Sequence, residues 1–179
     1  MEENISTLFS CIWVIEVDIK ENIEKEAMRI EEDATYSSKG HYEAARGWEN
    51  AYLWLGIPVA IIAGISGISA FQENSLLAGI TAILAAALAA TSTFLNPSEK
   101  AQTHYTAGSR FNSLKNRVRI FREIEMPDSD INILKVRIME LSEERHLANS
   151  ECPQIPRRAF ERARKGIEQG EAKYVADSK

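Results

Sequence analysis

The chain is almost without charge over one long stretch. Residues 50–98 carry a single charged side chain, Glu73, although Asp, Glu, Lys and Arg make up 26% of the whole. Residue types that carry chemistry are also scarce. The three histidines, His41, His104 and His146, have no metal-ligand spacing, and the two cysteines, Cys11 and Cys152, form no metal-type or redox-type pair. There is no glycine-rich phosphate loop, no serine or cysteine nucleophile motif and no recognisable acid pair. These absences point away from an enzyme, and no cofactor or metal is expected. No alternating pattern suggests a strand, and there is no internal repeat. The net charge of −5 argues against general nucleic-acid binding. Two cysteines so far apart suit reduced cytoplasmic thiols better than a disulfide. The start Met1-Glu2-Glu3-Asn4 lacks the positive region of a signal peptide, so no cleavage is expected.

What is present is two uncharged windows, residues 50–72 and 74–98, on either side of Glu73. Each has the roughly 20 residues that a helix needs to cross about 30 Å of hydrocarbon. A charge at the centre of such a span costs about 2.5–3.5 kcal/mol, and neither window has one. A soluble chain of this size can rarely bury two consecutive helices that are apolar all round. The expected fold is therefore all-α, a two-span transmembrane hairpin with a cytoplasmic helical domain formed by the N- and C-terminal flanks. Its parts are residues 1–49, a hairpin at 50–98 with spans at about 51–71 and 76–95, and residues 99–179. The second span is the weaker. Leu76, Leu77, Ile80, Ile83, Leu84, Leu88, Phe94 and Leu95 at about −0.5 kcal/mol each supply roughly −4 kcal/mol before polar offsets.

Basic residues set the orientation. Lys39 and Arg46 precede the first span, and Lys100, Arg110, Lys115, Arg117 and Arg119 follow the second, whereas the connection Gln72-Glu73-Asn74-Ser75 has none. Both termini are expected in the cytoplasm, in a multi-pass protein of the bacterial inner membrane. Trp48, Tyr52 and Trp54 gather at the cytoplasmic end of the first span, where amphipathic rings prefer to sit.

Small residues run along each span at spacings of three and four: Gly56, Ala60, Ala63, Gly67 and Ala70 in the first, Ala78, Ala82, Ala85, Ala89 and Ser92 in the second. Such faces let helices approach closely in lipid. They serve either to pack the hairpin on itself or to pack a neighbouring subunit. Two helices cannot enclose a water path alone, so a pore requires a homo-oligomer. Ser66, Ser69 and Glu73, with Thr81 and Ser92, form a candidate lining, and a ring of Glu73 carboxylates would favour cations. The alternative is that the hydroxyls bond their own backbone and Glu73 is merely solvated. Pro58, Asn96 and Pro97 are candidate coupling residues, because proline frees backbone groups and permits kinks.

The flanks read as helices. Ile5, Leu8, Ile12, Ile15, Ile19, Ile23, Ala27 and Ile30 keep a helical period over residues 5–32, opposite an acidic face. Tyr36 to Asn50 continue as helix into the first span, with Gly40 and Gly47 as weak points. Asn96-Pro97-Ser98-Glu99 is a helix start, with Asn96 as cap and Glu99 placed for a capping box. The helix that follows runs to about Glu125, is basic, and suits packing against the acidic first helix; Pro127 ends it. Residues 130–146 and 157–169 form the last helices, with Gly170 as a cap. Arg157, Arg158, Arg162 and Lys165 gather in the last of these, and guanidinium forks match phosphates of a nucleotide or of anionic lipid. A solvated helix face is the plainer reading, and Glu161 precedes Lys165 by four residues in favourable ion-pair order.

Several segments together resemble a family. They are Tyr36-Ser37-Ser38-Lys39-Gly40-His41-Tyr42-Glu43-Ala44-Ala45, Trp54-Leu55-Gly56-Ile57-Pro58 and Thr93-Phe94-Leu95-Asn96-Pro97-Ser98-Glu99-Lys100. His104, Gly108, Phe121-Arg122-Glu123, Pro153, Pro156, Ala163-Arg164-Lys165, Ile167 and Gly170 follow. The pattern is similar to the SLATT family, the two-transmembrane effector domain associated with SMODS nucleotidyltransferases and SLOG proteins. It covers residues 36–175, with Phe94 to Lys100 beside Trp54–Pro58 as its most specific part. The resemblance implies a membrane effector of a prokaryotic, CBASS-like antiviral system. A nucleotide-second-messenger synthase or sensor encoded nearby would trigger it, and it would then form an oligomeric pore or disrupt the inner membrane. It implies no catalytic residues. The alternative from another class is a non-conducting membrane scaffold that recruits a defence enzyme.

Overall fold

One helix organises the molecule. In the computed structural model, which describes residues 2–174 with side chains from Val17 onward, helix α1 (Glu2–Phe71) runs unbroken for 70 residues. At ~1.5 Å per residue it is about 105 Å long. The faces expected over residues 5–16, Cys11 among them, and the terminal residue 175 of the SLATT-like unit lie outside the described residues and side chains. After α1 come α2 (Ser75–Leu95) and α3 (Pro97–Ile120). A π-helical turn (Phe121–Glu125) and the short α4 (Met126–Asp128) continue α3; α5 (Ile131–Glu151) and α6 (Arg157–Glu168) complete the chain. The described residues are all-helical, with no strand.

Helix α1 also runs unbroken through residues 33–35, between the two stretches read as helix from the sequence, and through Gly40 and Gly47. The hydroxyls that weaken a helix there are satisfied on the helix itself: Thr35 Oγ1 donates to Glu31 O at 2.7 Å and Ser38 Oγ to Thr35 O at 3.0 Å. Ala34, next to Thr35, is wholly buried, so packing holds the segment helical.

The core of the flanking helices lies against the first half of α1. Ile23, Ala27, Ile30 and Ala34 of α1 meet Phe111, Leu114 and Val118 of α3, Phe121 of the π turn, and Leu134, Ile138, Leu141 and Ala148 of α5. Truncating a buried Phe such as Phe121 costs about 3–5 kcal/mol. Helix α5 extends to Glu151, past the expected His146, because Ala148 is part of this core. The stretch that begins with α3 packs on acidic α1 as expected, but its charge pairing is divided: Arg122 of the π turn reaches Glu31 at 3.3 Å, whereas Arg110 and Arg117 of α3 pair with Glu151 and Glu144 of α5, and Arg145 of α5 lies 3.4 and 3.3 Å from Glu26 and Asp33. These partly exposed pairs add at most about 1 kcal/mol each.

Two expected punctuation points, Gly170 and Pro97, hold. Gly170 stands at φ 95, and the Gly170 and Glu171 amides donate to Ile167 O and Gly166 O at 2.9 and 3.1 Å, closing the end of α6. Pro97 opens α3 at its first turn, where a missing N–H leaves nothing unsatisfied.

The last third of α1 and the whole of α2 form an apolar hairpin beyond this bundle. Both helices are long and apolar enough to cross a membrane.

Candidate functional site

The hairpin turns its largest side chains outward. Trp54 is 79% exposed, Phe71 93% and Phe94 94%, and Ile57, Ile61, Ile68, Leu76, Ile80 and Ile83 are exposed as well. The less exposed positions form the seam between its arms: Leu55, Val59, Ile62, Ser66 and Ser69 from α1, and Ala78, Thr81, Ala85, Leu88 and Ser92 from α2. Side chains of Leu and Ile from α1 thus sit against the small residues of α2.

This register places the two small-residue stripes differently. Gly56, Ala60, Ala63 and Gly67 are exposed, one residue away from the seam, which is ~100° around a helix of 3.6 residues per turn. A Cβ added at Gly56 or Gly67 would meet nothing within 4 Å. Of the second stripe, Ala78 and Ala85 lie in the seam, whereas Ala82 and Ala89 are exposed.

The residues of the candidate lining lie mostly in the seam. Ser69 is buried at 4%, and Ser66 Oγ donates across the seam to Ala78 O at 2.9 Å. Thr81 Oγ1 donates to Leu77 O at 2.8 Å on its own helix. The hydroxyls of Ser66, Ser69 and Thr81 are brought together between the arms of one hairpin rather than on an outer face, and Ser92 lies in the same seam eleven residues farther along α2. Glu73 has a local role in the turn. It adopts φ 57 after α1, with Glu73 N–H bonded to Ala70 O at 3.2 Å and Asn74 N–H to Ser69 O at 3.0 Å. That pairing closes the end of α1. Asn74 then accepts from Leu77 N–H at 3.2 Å and caps α2.

The foot of the hairpin is built around Asn96. It sits at φ 41, ends α2 through its N–H to Ser92 O at 3.1 Å, and begins α3. Its side-chain amide donates to the Glu99 carboxylate instead of capping a backbone N–H, so the expected capping box is replaced by a side-chain pair. Pro97 is buried beneath it, and Pro58 stands inside α1 toward the seam. Lys100 Nζ lies 4.5 Å from the centroid of Trp48 and ties α3 to α1 by a cation–π contact.

Directly below, α1 and α3 are joined by a pair of histidines that sequence reasoning did not connect. His41 and His104 are 2% and 6% exposed, and their Nδ1 atoms are 3.0 Å apart. Burial, and secondly the neighbouring His104, hold His41 down at about 4; burial lowers His104 as well. Each is four residues or fewer from a glycine that admits a close neighbour, Gly40 against Ile155 and Gly108 against Tyr42. That proximity of His to Gly in two separate segments was the available signal. Among the described residues, no three His, Cys, Asp or Glu side chains converge as a metal-holding group.

The basic residues of α6 are dispersed in role. Arg162 Nε donates to Glu43 Oε2 at 3.0 Å and its second nitrogen reaches Glu43 O at 3.3 Å, tethering α6 to α1. Arg157 pairs with Glu161 at 2.8 Å. Arg158 and Lys165 make no ion pair among the described residues.

Comparison of the chain with protein-family models, with curated proteins and with solved structures finds no match.

Proposed function

We propose that this chain is a membrane effector of a prokaryotic antiviral conflict system, inserted in the bacterial inner membrane through its hairpin with both termini cytoplasmic. A nucleotide-signalling partner triggers it, and it forms an oligomeric pore or disrupts the bilayer. The observation that carries the reading is the outward apolar surface from Trp54 to Phe94. Burying each large apolar side chain is worth about 1.5–3 kcal/mol. A surface that leaves so many exposed marks a partner or a lipid phase, and lipid suits two uncharged helices of spanning length. Lys and Arg flank the hairpin only on the side of the bundle, which supports a cytoplasmic bundle.

Assembly is supported by the open face of Gly56, Ala60, Ala63 and Gly67, where a second hairpin can approach closely. The defence role rests on the SLATT resemblance. In this reading the foot around Asn96, Pro97 and Pro58 transmits a change in the bundle to the spans.

One observation favours the second reading, a non-conducting scaffold that recruits a defence enzyme. The hydroxyls of Ser66, Ser69 and Thr81 are turned into the seam, so the hairpin offers no polar stripe to a lumen. Replacing both spans by unrelated apolar helices separates the two. A pore loses its toxicity in bacteria supplied with the triggering partner; a scaffold keeps it.

A further inference from the structure

We infer that the cleft at the foot of the hairpin binds an anionic phospholipid, with Lys100 holding the phosphate and the acyl chains running up along Phe94 and Leu95. The inference rests on the membrane reading above. The cleft encloses about 480 Å³ between Trp48 of α1, Phe94 and Leu95 at the end of α2, Lys100 and His104 of α3, and Gln154 of the α5–α6 connection.

Its two ends differ in chemistry. At the hairpin end, Phe94 is 94% exposed and Leu95 39%, continuous with the apolar surface of α2. At the bundle end stand donors without acceptors. Lys100 Nζ lies over the Trp48 ring and has no carboxylate partner among the described residues. The adjacent carboxylate, Glu99, is already taken by the Asn96 amide. The Gln154 amide makes no hydrogen bond among the described residues, whereas His104 is already paired with His41. A ligand with an anionic head and an apolar tail satisfies both ends.

The same arrangement selects against two neighbouring chemistries. A quaternary ammonium head needs an open aromatic face, and Lys100 already covers the face of Trp48. A nucleotide base also needs a ring to stack on; the His104 ring is buried against His41, and Phe94 is turned out with the lipid-facing side chains. An anionic glycerophospholipid needs neither.

The test is native mass spectrometry of the full chain in detergent, offered equal amounts of phosphatidylglycerol and phosphatidylcholine with the same acyl chains. Retention should favour phosphatidylglycerol about fivefold, the ratio given by ~1 kcal/mol per basic residue near an anionic surface. Lys100→Gln should bring the two lipids to parity, Lys100→Arg should keep the preference, and a double Arg158→Gln, Lys165→Gln variant should keep it too. Gln154→Ala, which removes no packing from the core, should reduce it in part. Parity in the unaltered chain overturns the inference, as does a preference that survives Lys100→Gln in a variant of unchanged helical circular dichroism. Displacement of the lipid by millimolar inorganic phosphate or nucleoside triphosphate overturns it in favour of a soluble anion. A chain that is monodisperse in buffer without detergent overturns the membrane reading itself, a result distinct from lipid parity.

Discussion

His41 and His104 face one another across the α1–α3 crossing, Nδ1 to Nδ1 at 3.0 Å, with the His41 ring stacked on Phe111 at 5.5 Å between centroids. At that distance one nitrogen donates and the other accepts, so the pair shares one proton. Unfolded, each imidazole titrates near 6.5; folded, His41 is held at about 4 and His104 is lowered too. Between these values the unfolded chain binds more protons than the folded one. The pair's contribution to stability is complete above 6.5 and is lost as pH falls toward about 4. Melting temperature followed by circular dichroism should fall through that window, and His104→Gln should make the fall shallower. An identical slope in the variant would show that other groups set it.

Gly108 and Gly40 should respond differently to the same substitution. A Cβ at Gly108 would meet Tyr42 Cε1 at 2.9 Å and the Ser38 carbonyl oxygen at 3.2 Å, a ring and a backbone atom that cannot yield easily. At Gly40 the obstacle is Ile155 Cδ1 at 2.9 Å, the end of a flexible side chain. Gly108→Ala should therefore destabilise the bundle by about 1–3 kcal/mol. Gly40→Ala should stay within about 1 kcal/mol of neutral, since the helix gains by losing a glycine. Denaturation of the two variants in detergent measures both values.

Gly67→Leu and Ala85→Leu separate assembly from hairpin folding. Gly67 faces open space, so Leu there leaves the single hairpin intact and blocks only the approach of another copy. Ala85 is 8% exposed within the seam, so Leu there forces the arms apart. Crosslinking in membranes should show Gly67→Leu as a well-inserted chain of reduced oligomer size. Ala85→Leu should lose protease resistance of the hairpin as well.

Ser66→Ala removes a hydroxyl bond that crosses the seam, to Ala78 O. The expected loss is about 0.6 kcal/mol, the usual worth of such a bond between membrane helices. Because the hydroxyl points into the seam, ion selectivity of any conductance should not change. A selectivity shift in planar-bilayer recordings would return Ser66 to a lumen.

The sequence reveals most where one physical signal dominates. Absence of charge located the hairpin, whose second arm ends at Leu95 as expected, and Pro97 and Gly170 marked a helix start and a helix end through backbone chemistry alone. It was ambiguous where two faces compete. Small residues and hydroxyls lie one position apart along α1, and only the fit of Leu55 and Ile62 against the Ala face of α2 decides which turns inward. The unbroken course of α1 past Thr35 and the added turn of α5 at Ala148 depend on burial by distant segments. The same holds for the histidine pair, whose members are 63 positions apart.

Membrane potential in living bacteria tests the central claim most directly. The chain is expressed with and without a partner that makes a cyclic-oligonucleotide signal, and insertion is verified by fractionation. The account predicts partner-dependent loss of potential that Gly67→Leu abolishes. An intact potential across a panel of such signals, in cells whose inserted protein still causes partner-dependent growth arrest, would contradict the pore and leave the scaffold.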